Sequence, residues 1–378
     1  MSTAGKNVFL LGPGFVSATV LAQLLHSLRP CSTPARVQDA NIKKQIGRNV
    51  VDILLSEGYT VTTLVRRESA GAELQKGGVK AILGTLEDAD TITTQTIASD
   101  IVFHTATADH LPSVEAVLRG VKARAEQGKK TIFIHTSGTS LLGDDSKGQY
   151  KGDKVFSDDA PQEIDALPDT ASHREIDLAI LKARKDLGTK AKLVIMIPPL
   201  IYGVNDKHKR LSIQIPTLTR FALKHGYAGQ VGAGASVWST VHVLDLARAY
   251  VTLLHWLEKT DANEVLKNPY FFCENGEEYP WGEFVKAIGI ALHQAGRIKD
   301  PNPRTIPESD YKDLFGPLTA WVVGSNSRSR AKRLRSLGWQ PREKDVFASL
   351  KDDEIPLLLQ ETAQFSGYAG VAASGVPS

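Results

Sequence analysis

Short runs rich in apolar and β-branched residues alternate, along the first half of the chain, with segments whose apolar residues recur every three or four positions. Val8–Leu11, Thr60–Val65, Val79–Leu83, Ile101–His104, Thr131–His135 and Leu193–Ile197 have strand length and strand composition, as expected where a parallel sheet buries both faces. Leu111–Gln127 sets Val114, Val117, Leu118, Val121 and Ala125 at helical spacing, and Arg174–Leu187 does so with Ile176, Ile180, Leu181 and Leu187. A further helix is predicted over Leu244–Leu257. Each has one apolar face, and a sheet is what such a face covers. This alternation predicts an α/β fold, a Rossmann doubly wound parallel sheet. From about Tyr202 onward Pro and Gly break the pattern, which predicts a smaller C-terminal substrate lobe over 201–364, mixed with elements returning to a Rossmann domain of 1–200. The Gly-, Ala- and Ser-rich residues 365–378 read as a flexible tail.

Composition narrows the function classes. With 378 residues, 42% hydrophobic and 23% charged, the chain is long enough for two units with their own cores. A formal charge of +3, with Lys and Arg scattered, gives no electrostatic footprint for nucleic acid. Cys31 and Cys273 stand far apart without CxxC or Cys/His spacing, so neither a disulfide framework nor a metal site is expected. Residues 1–7 are short and polar, and no apolar run approaches the roughly 18 residues of a membrane span. A cytoplasmic protein with no membrane partner is expected; a homo-oligomer is left open.

Val8–Leu11 runs into Gly12-Pro13-Gly14-Phe15, two thirds of a glycine fingerprint whose backbone would approach a pyrophosphate. The third glycine is absent from its place. After a thirty-residue stretch, Val16–Gln45, comes Ile46-Gly47, which opens a helical pattern to Glu57 followed by the run Thr60–Val65. Setting the stretch aside rejoins Gly12-Pro13-Gly14-Phe15-Ile46-Gly47, a complete GxGxxG between strand and helix. It also leaves 24 positions from Gly12 to Arg66, close to the roughly 20 between a fingerprint and the ribose-binding residue. The stretch reads as a retained intron, since Val16-Ser17 can be encoded by a GTAAGT donor, Ala40-Asn41 by GCTAAC and Gln45 by a CAG acceptor. A genuine surface loop is the other reading, with Val16–Leu28 able to form an amphipathic helix capped by Ser17. Such a helix would compete for the position of Gly47, so the phosphate turn is expected to suffer while the helix from Ile46 still packs on the sheet.

Thr60–Val65 ends in Arg66-Arg67, where an NAD-selective site places a carboxylate on the ribose 2′-OH. Guanidinium there favours NADP, and Glu68 keeps NAD open.

Several motifs, in order along Asn7 to Arg342, resemble the NAD-dependent epimerase/dehydratase family of extended short-chain dehydrogenases, with its atypical and NmrA-like relatives. Gly84-Thr85-Leu86-Glu87-Asp88 resembles the family's GDLxD turn, and Val102-Phe103-His104-Thr105-Ala106 its fourth strand and cofactor-side turn. Thr136–Gly143 is similar to SSxxVYG, Pro198–Gly203 to RPxxIYG, Val241–Ala247 to VHVxDVA, and Leu337–Pro341 to LGWxP. The resemblance implies a nicotinamide cofactor on Gly12, Gly14, Phe15, Ile46, Gly47, Arg66, Arg67, Thr105, Ala106 and Pro199, and a catalytic hydroxyl at Ser137 or Thr139. The family's YxxxK is missing: with its trailing acid aligned on Asp177, Asp169 stands at the Tyr position and His173 at the Lys position. An imidazole, with an ordinary pKa near ~6.5, can serve as acid or base if it faces the nicotinamide. A surface histidine at a helix start is the plainer reading of His173. His104, His135 and His242 read as strand and turn residues.

Two functions follow. One is an NAD(P)-dependent oxidoreductase, or epimerase/dehydratase-like enzyme, acting on a small carbonyl or hydroxyl compound. The other is a non-catalytic NAD(P)-binding sensor of the NmrA-like kind, which needs only the nucleotide half.

Overall fold

The computed structural model describes residues 5–13, 46–362, 365 and 367. Seven strands form one parallel sheet: β1 (Asn7–Leu11), β2 (Thr60–Val65), β3 (Lys80–Leu83), β4 (Ile101–His104), β5 (Ile132–Thr136), β6 (Lys192–Ile197) and β9 (Tyr270–Phe272), in the order β9-β6-β5-β4-β1-β2-β3. β1 lies at its centre, with Val8 opposite Val61 of β2 and Ile101 of β4, so the expected doubly wound sheet is the one found. The chain steps outward from β1 to β3 and then returns to place β4 on the other side of β1. That reversal opens a crevice at the carboxyl ends of β1 and β4, where such sheets bind ligands.

Alternation along each strand builds two cores. Val8 and Leu10 face the cluster formed with Val50 and Leu54 of α1 (Ile46–Ser56) and Leu246, Tyr250 and Leu254 of α7 (Val243–Lys259). Phe9 and Leu11 face the opposite cluster, with Val114, Val117 and Val121 of α4 (Leu111–Glu126) and Ile176 and Ile180 of α5 (Arg174–Leu187). The chain order is completed by α2 (Glu68–Lys76) and α3 (Ala89–Ile97). Helices cover both faces, which is why the strands read as nearly unbroken apolar runs.

A third cluster lies around α6 (Gln214–His225) and α8 (Trp281–Gln294), with Phe221, Trp238, Trp281, Phe284 and Ile288 buried together. It includes a three-stranded sheet in which β8 (Val237–His242) pairs with β7 (Leu200–Tyr202) and β10 (Glu278–Pro280). β9 and α7 come from the second half of the chain but pack with the first. No helix among the described residues is long and apolar enough to cross a membrane. Cys273 is a buried free thiol, and Cys31 lies outside the described residues.

Candidate functional site

Gly12 ends β1 at φ +80°, and a Cβ there would stand 2.3 Å from the Cα of Ala106. Only glycine tolerates that conformation and that approach together. Gly47, in the first turn of α1, is closer still: its Cβ would lie 2.0 Å from the Gly12 carbonyl oxygen. Thr105, just past β4, donates its hydroxyl proton to the carbonyls of Leu11 (3.0 Å) and Gly12 (2.8 Å). The end of β1, the start of α1 and the turn after β4 are thus tied at one point, with Ile46 and Thr105 fully buried. Gly47 stands beside the end of β1, and the helix over Val16–Leu28 that was expected to compete with it falls outside the described residues. Gly14, Phe15 and the retained-intron stretch lie outside the described residues. The close approach leaves the first N–H groups of an eleven-residue helix at a strand end, an arrangement suited to a pyrophosphate.

Around the turn after β5 lies a polar cluster. Ser137 is about 1% exposed and donates its hydroxyl to Asp177 of α5 at 3.1 Å. Thr139 is equally sealed; its N–H donates to the Pro198 carbonyl at 3.0 Å, and its hydroxyl has no partner among the described residues. Ser140, next along, is partly exposed.

His173 is the N-cap of α5, in the left-handed conformation at φ +68°. A non-glycine residue holds that conformation at a cost on the order of 1 kcal/mol, and such strain gathers at functional positions. Its side chain is 7% exposed, with Nδ1 2.5 Å from Asp109 Oδ1 and Nε2 2.6 Å from Ser140 Oγ. It is therefore not a surface histidine. Burial draws its pKa down, but the charge and hydrogen bond of Asp109, helped by Asp177, prevail and hold it above the ordinary value. Asp177 is pushed up to about 7 by burial, against the pull of His173, the Ser137 hydroxyl and Arg174.

Asp169, at the position of the missing Tyr, is exposed and does not join this cluster. Arg66 and Arg67 are exposed at the end of β2, where Arg67 is the N-cap of α2. Pro199 is buried between β6 and β7. His104 and His135, side by side at the ends of β4 and β5, are buried strand residues with ring centroids 5.2 Å apart. His242 caps α7 by accepting from the Leu244 N–H at 3.2 Å. Among the described residues no group of His, Cys, Asp and Glu has a metal-holding arrangement.

Sequence reasoning missed Ser140 and Asp109. The run Ser137-Gly138-Thr139-Ser140 offers three hydroxyls, and only exposure separates the third from the others. Asp109 is 64 positions from His173, and no local motif announces it.

A sequence profile described as the NAD dependent epimerase/dehydratase family matches residues 43–267. The match begins after β1, so Gly12 lies outside it although the structure seats β1 at the sheet centre. An oxidase of Acremonium, ucsJ, is 30% identical over 347 residues, covering 86% of this chain and 96% of that protein. A 4-hydroxy-2-methyl-3-oxo-4-farnesyl-3,4-dihydroquinoline-1-oxide ketoreductase of Stigmatella aurantiaca is 26% identical over 172 residues, 43% of this chain and 48% of its own. In architecture the chain is similar to a dTDP-glucose 4,6-dehydratase of Bacillus anthracis solved with NAD. The TM-score is 0.62 and the identity 13%, with 94% of this chain and 98% of that one covered.

Proposed function

The chain belongs to the NAD dependent epimerase/dehydratase family, and on that premise we propose that it exchanges hydride between a nicotinamide dinucleotide and a small carbonyl or hydroxyl compound. The observation that carries this reading is the junction of Gly12, Gly47 and Thr105 at the reversal of strand order, with the Ser140–His173 pair beside the neighbouring strand end. Bound there, the cofactor supplies hydride transfer. The protein's share is to bind and orient. Backbone N–H groups of Gly12, Gly14, Phe15, Ile46 and Gly47 hold the pyrophosphate, Thr105 and Ala106 wall the crevice, and Pro199 bounds it on the β6 side. Arg66 and Arg67 favour NADP by charge-assisted hydrogen bonds to a 2′-phosphate. The catalytic part falls to the polar cluster after β5: Ser137 and Thr139, both sealed, support it from within, and His173 is the group able to pass a proton toward a substrate oxygen. We assign the nucleotide half to 1–200 with the returning β9 and α7, and the substrate lobe to the rest of 201–364.

A non-catalytic sensor is the second reading, favoured by one observation: Asp169, at the position of the missing Tyr, is exposed, whereas the cluster is buried. Titration of NADPH and NADH, followed by incubation with a panel of aldehydes and ketones, separates the two. Loss of the reduced cofactor's absorbance with any carbonyl supports the enzyme; tight binding without loss supports the sensor. Arg66→Ala and Arg67→Ala should weaken NADPH more than NADH, and equal affinities would remove the NADP preference. Deleting residues 16–45 is expected to tighten NADPH binding, because the phosphate turn then closes directly onto α1; unchanged affinity would show that the loop leaves the turn intact.

A further inference from the structure

We propose that Asp109, His173 and Ser140 form a proton relay ending on the Ser140 hydroxyl, with Ser140 the catalytic residue that meets a substrate oxygen and the other two its positioning residues. The proposal rests on the oxidoreductase reading of the same site. Three observations support it. The hydrogen bonds are continuous, from Asp109 Oδ1 to His173 Nδ1 at 2.5 Å and from Nε2 to Ser140 Oγ at 2.6 Å. Exposure is graded along the chain of bonds: Asp109 and His173 side chains are 2% and 7% exposed, Ser137 and Thr139 are sealed, and of the three hydroxyl residues Ser140 is the one partly exposed. Third, Gly138 leaves room for the pair, since a Cβ there would crowd His173 Nε2 at 3.1 Å.

With a carboxylate on Nδ1, that nitrogen keeps its proton, and Nε2 is the atom that gains or loses one. In the cationic state Nε2–H donates to Ser140 Oγ; in the neutral state Ser140 donates to Nε2. In carbonyl reduction, hydride reaches the substrate carbon and the nicotinamide is oxidised by two electrons. The substrate oxygen takes the Ser140 proton, Ser140 takes the Nε2 proton, and the imidazole, now neutral, is reprotonated from solvent. Alcohol oxidation runs the same transfers backwards. The charged and titratable groups around His173 are Asp109 on the turn after β4, Asp177 and Arg174 on α5, and His135 on β5. The two carboxylates favour the imidazolium. His135 is held neutral by its burial and opposes it little. The cation then stands where the family's Lys would, and Ser140 takes the proton-donating part of the Tyr.

The test follows the His173 ring by NMR in the cofactor-free full chain, across pH, in the wild type, Asp109→Asn and Ser140→Ala. We expect a wild-type midpoint above that of a free histidine. It should fall by at least one unit, a tenfold loss of proton affinity, in Asp109→Asn, and the Nε2 nitrogen shift should change in Ser140→Ala. An unmoved midpoint or an unmoved Nε2 signal overturns the relay, and the Ser140→Ala arm decides alone if Asp109→Asn does not fold. A second measurement reads NADPH and NADH oxidation with phenanthrenequinone and a panel of simple aldehydes and ketones. Ser140→Ala should lose about a hundredfold in kcat with cofactor affinity unchanged, and Ser140→Thr should regain most of it; a Ser140→Ala rate equal to wild type overturns the proposal. If the wild type oxidises neither cofactor with any of these, the oxidoreductase reading fails while the titrations still decide the relay.

Discussion

Two neighbouring regions at the carboxyl ends of the central strands bury histidine and do opposite things with it. At the ends of β4 and β5, burial drives His104 down to about 3, with the field of His110 adding to it, and pushes His135 well below 6.5. At the start of α5, His173 is as well shielded but is held above 6.5, because Asp109 meets its Nδ1. His104 has a neutral partner, the Ser113 hydroxyl at 2.9 Å, and His135 has none among the described residues. Burial penalises the charged form everywhere, and a carboxylate in hydrogen-bond contact reverses the outcome. The strand pair is therefore packing with a polar edge, whereas the helix-cap histidine has its charged form favoured by the carboxylate it meets.

The largest effect expected from this difference is in acid. For His104 and His135 the folded pKa lies below the unfolded 6.5, so the unfolded chain binds the extra protons and stability falls as pH drops from about 6.5 toward 3. Each histidine contributes up to about 1.4 kcal/mol per pH unit in that window. His173 has the opposite sign: its contribution is full below 6.5 and is lost as pH rises through its raised folded value. Urea unfolding measured from pH 4 to pH 8 should show His135→Phe losing less stability in acid than wild type. A slope unchanged by that substitution would break the comparison.

Next in size is removal of the carboxylate that separates the two regions. Asp109→Ala leaves a buried imidazole without its counter-charge and should cost about 3 kcal/mol near neutral pH. The loss should shrink as pH rises, since neutral His173 no longer needs the partner. Equilibrium unfolding at two pH values checks both statements, and a loss independent of pH would put Asp109 to a purely structural use.

A smaller effect is expected at Gly138. Its Cβ would crowd His173 Nε2 at 3.1 Å, so Gly138→Ala should cost about 1 kcal/mol by overpacking and lower turnover about tenfold while leaving cofactor affinity alone. A wild-type rate in this variant would show that the Ser140–His173 contact has room to spare.

The smallest effect concerns the backbone beneath the histidine. At φ +68°, Asn is tolerated better than a branched residue, so His173→Asn should be more stable than His173→Val by about 1 kcal/mol. Thermal unfolding of the two resolves it, and equal stability would mean that α5 relaxes its first turn on substitution.

Much of the fold was legible because its determinants are local and periodic. Val8, Phe9, Leu10 and Leu11 sit in a strand buried on both faces, and such a strand must be apolar throughout. α5 matches its predicted span, and the other predicted strands and helices agree within one or two residues, because periodicity marks which residues face inward. β9 was not anticipated: three residues, Tyr270–Phe272, are too few for a pattern, and only pairing with Met196 and its neighbours makes them a strand. The approach of Gly12 and Gly47 was legible too, once the two were joined across the residues between them. Their joining in space is a tertiary fact, since Gly47 meets the Gly12 carbonyl through the packing of α1 on the sheet.

The chemistry of the candidate site divides in the same way. Sequence alone established the family, the likeness of Ser137 and Thr139 to its hydroxyl-bearing segment, and the absence of its Tyr and Lys, because each is a matter of residue type at a spacing. Which hydroxyl reaches open space, and which way His173 points, depend on the left-handed turn at the start of α5 and on how far β5 carries its loop. Asp109 became the partner of His173 only when β4 and β5 were laid side by side. Residue types travel with the chain, but a pKa belongs to a neighbourhood, and a neighbourhood assembled from residues 109, 140 and 173 exists only after the sheet has formed.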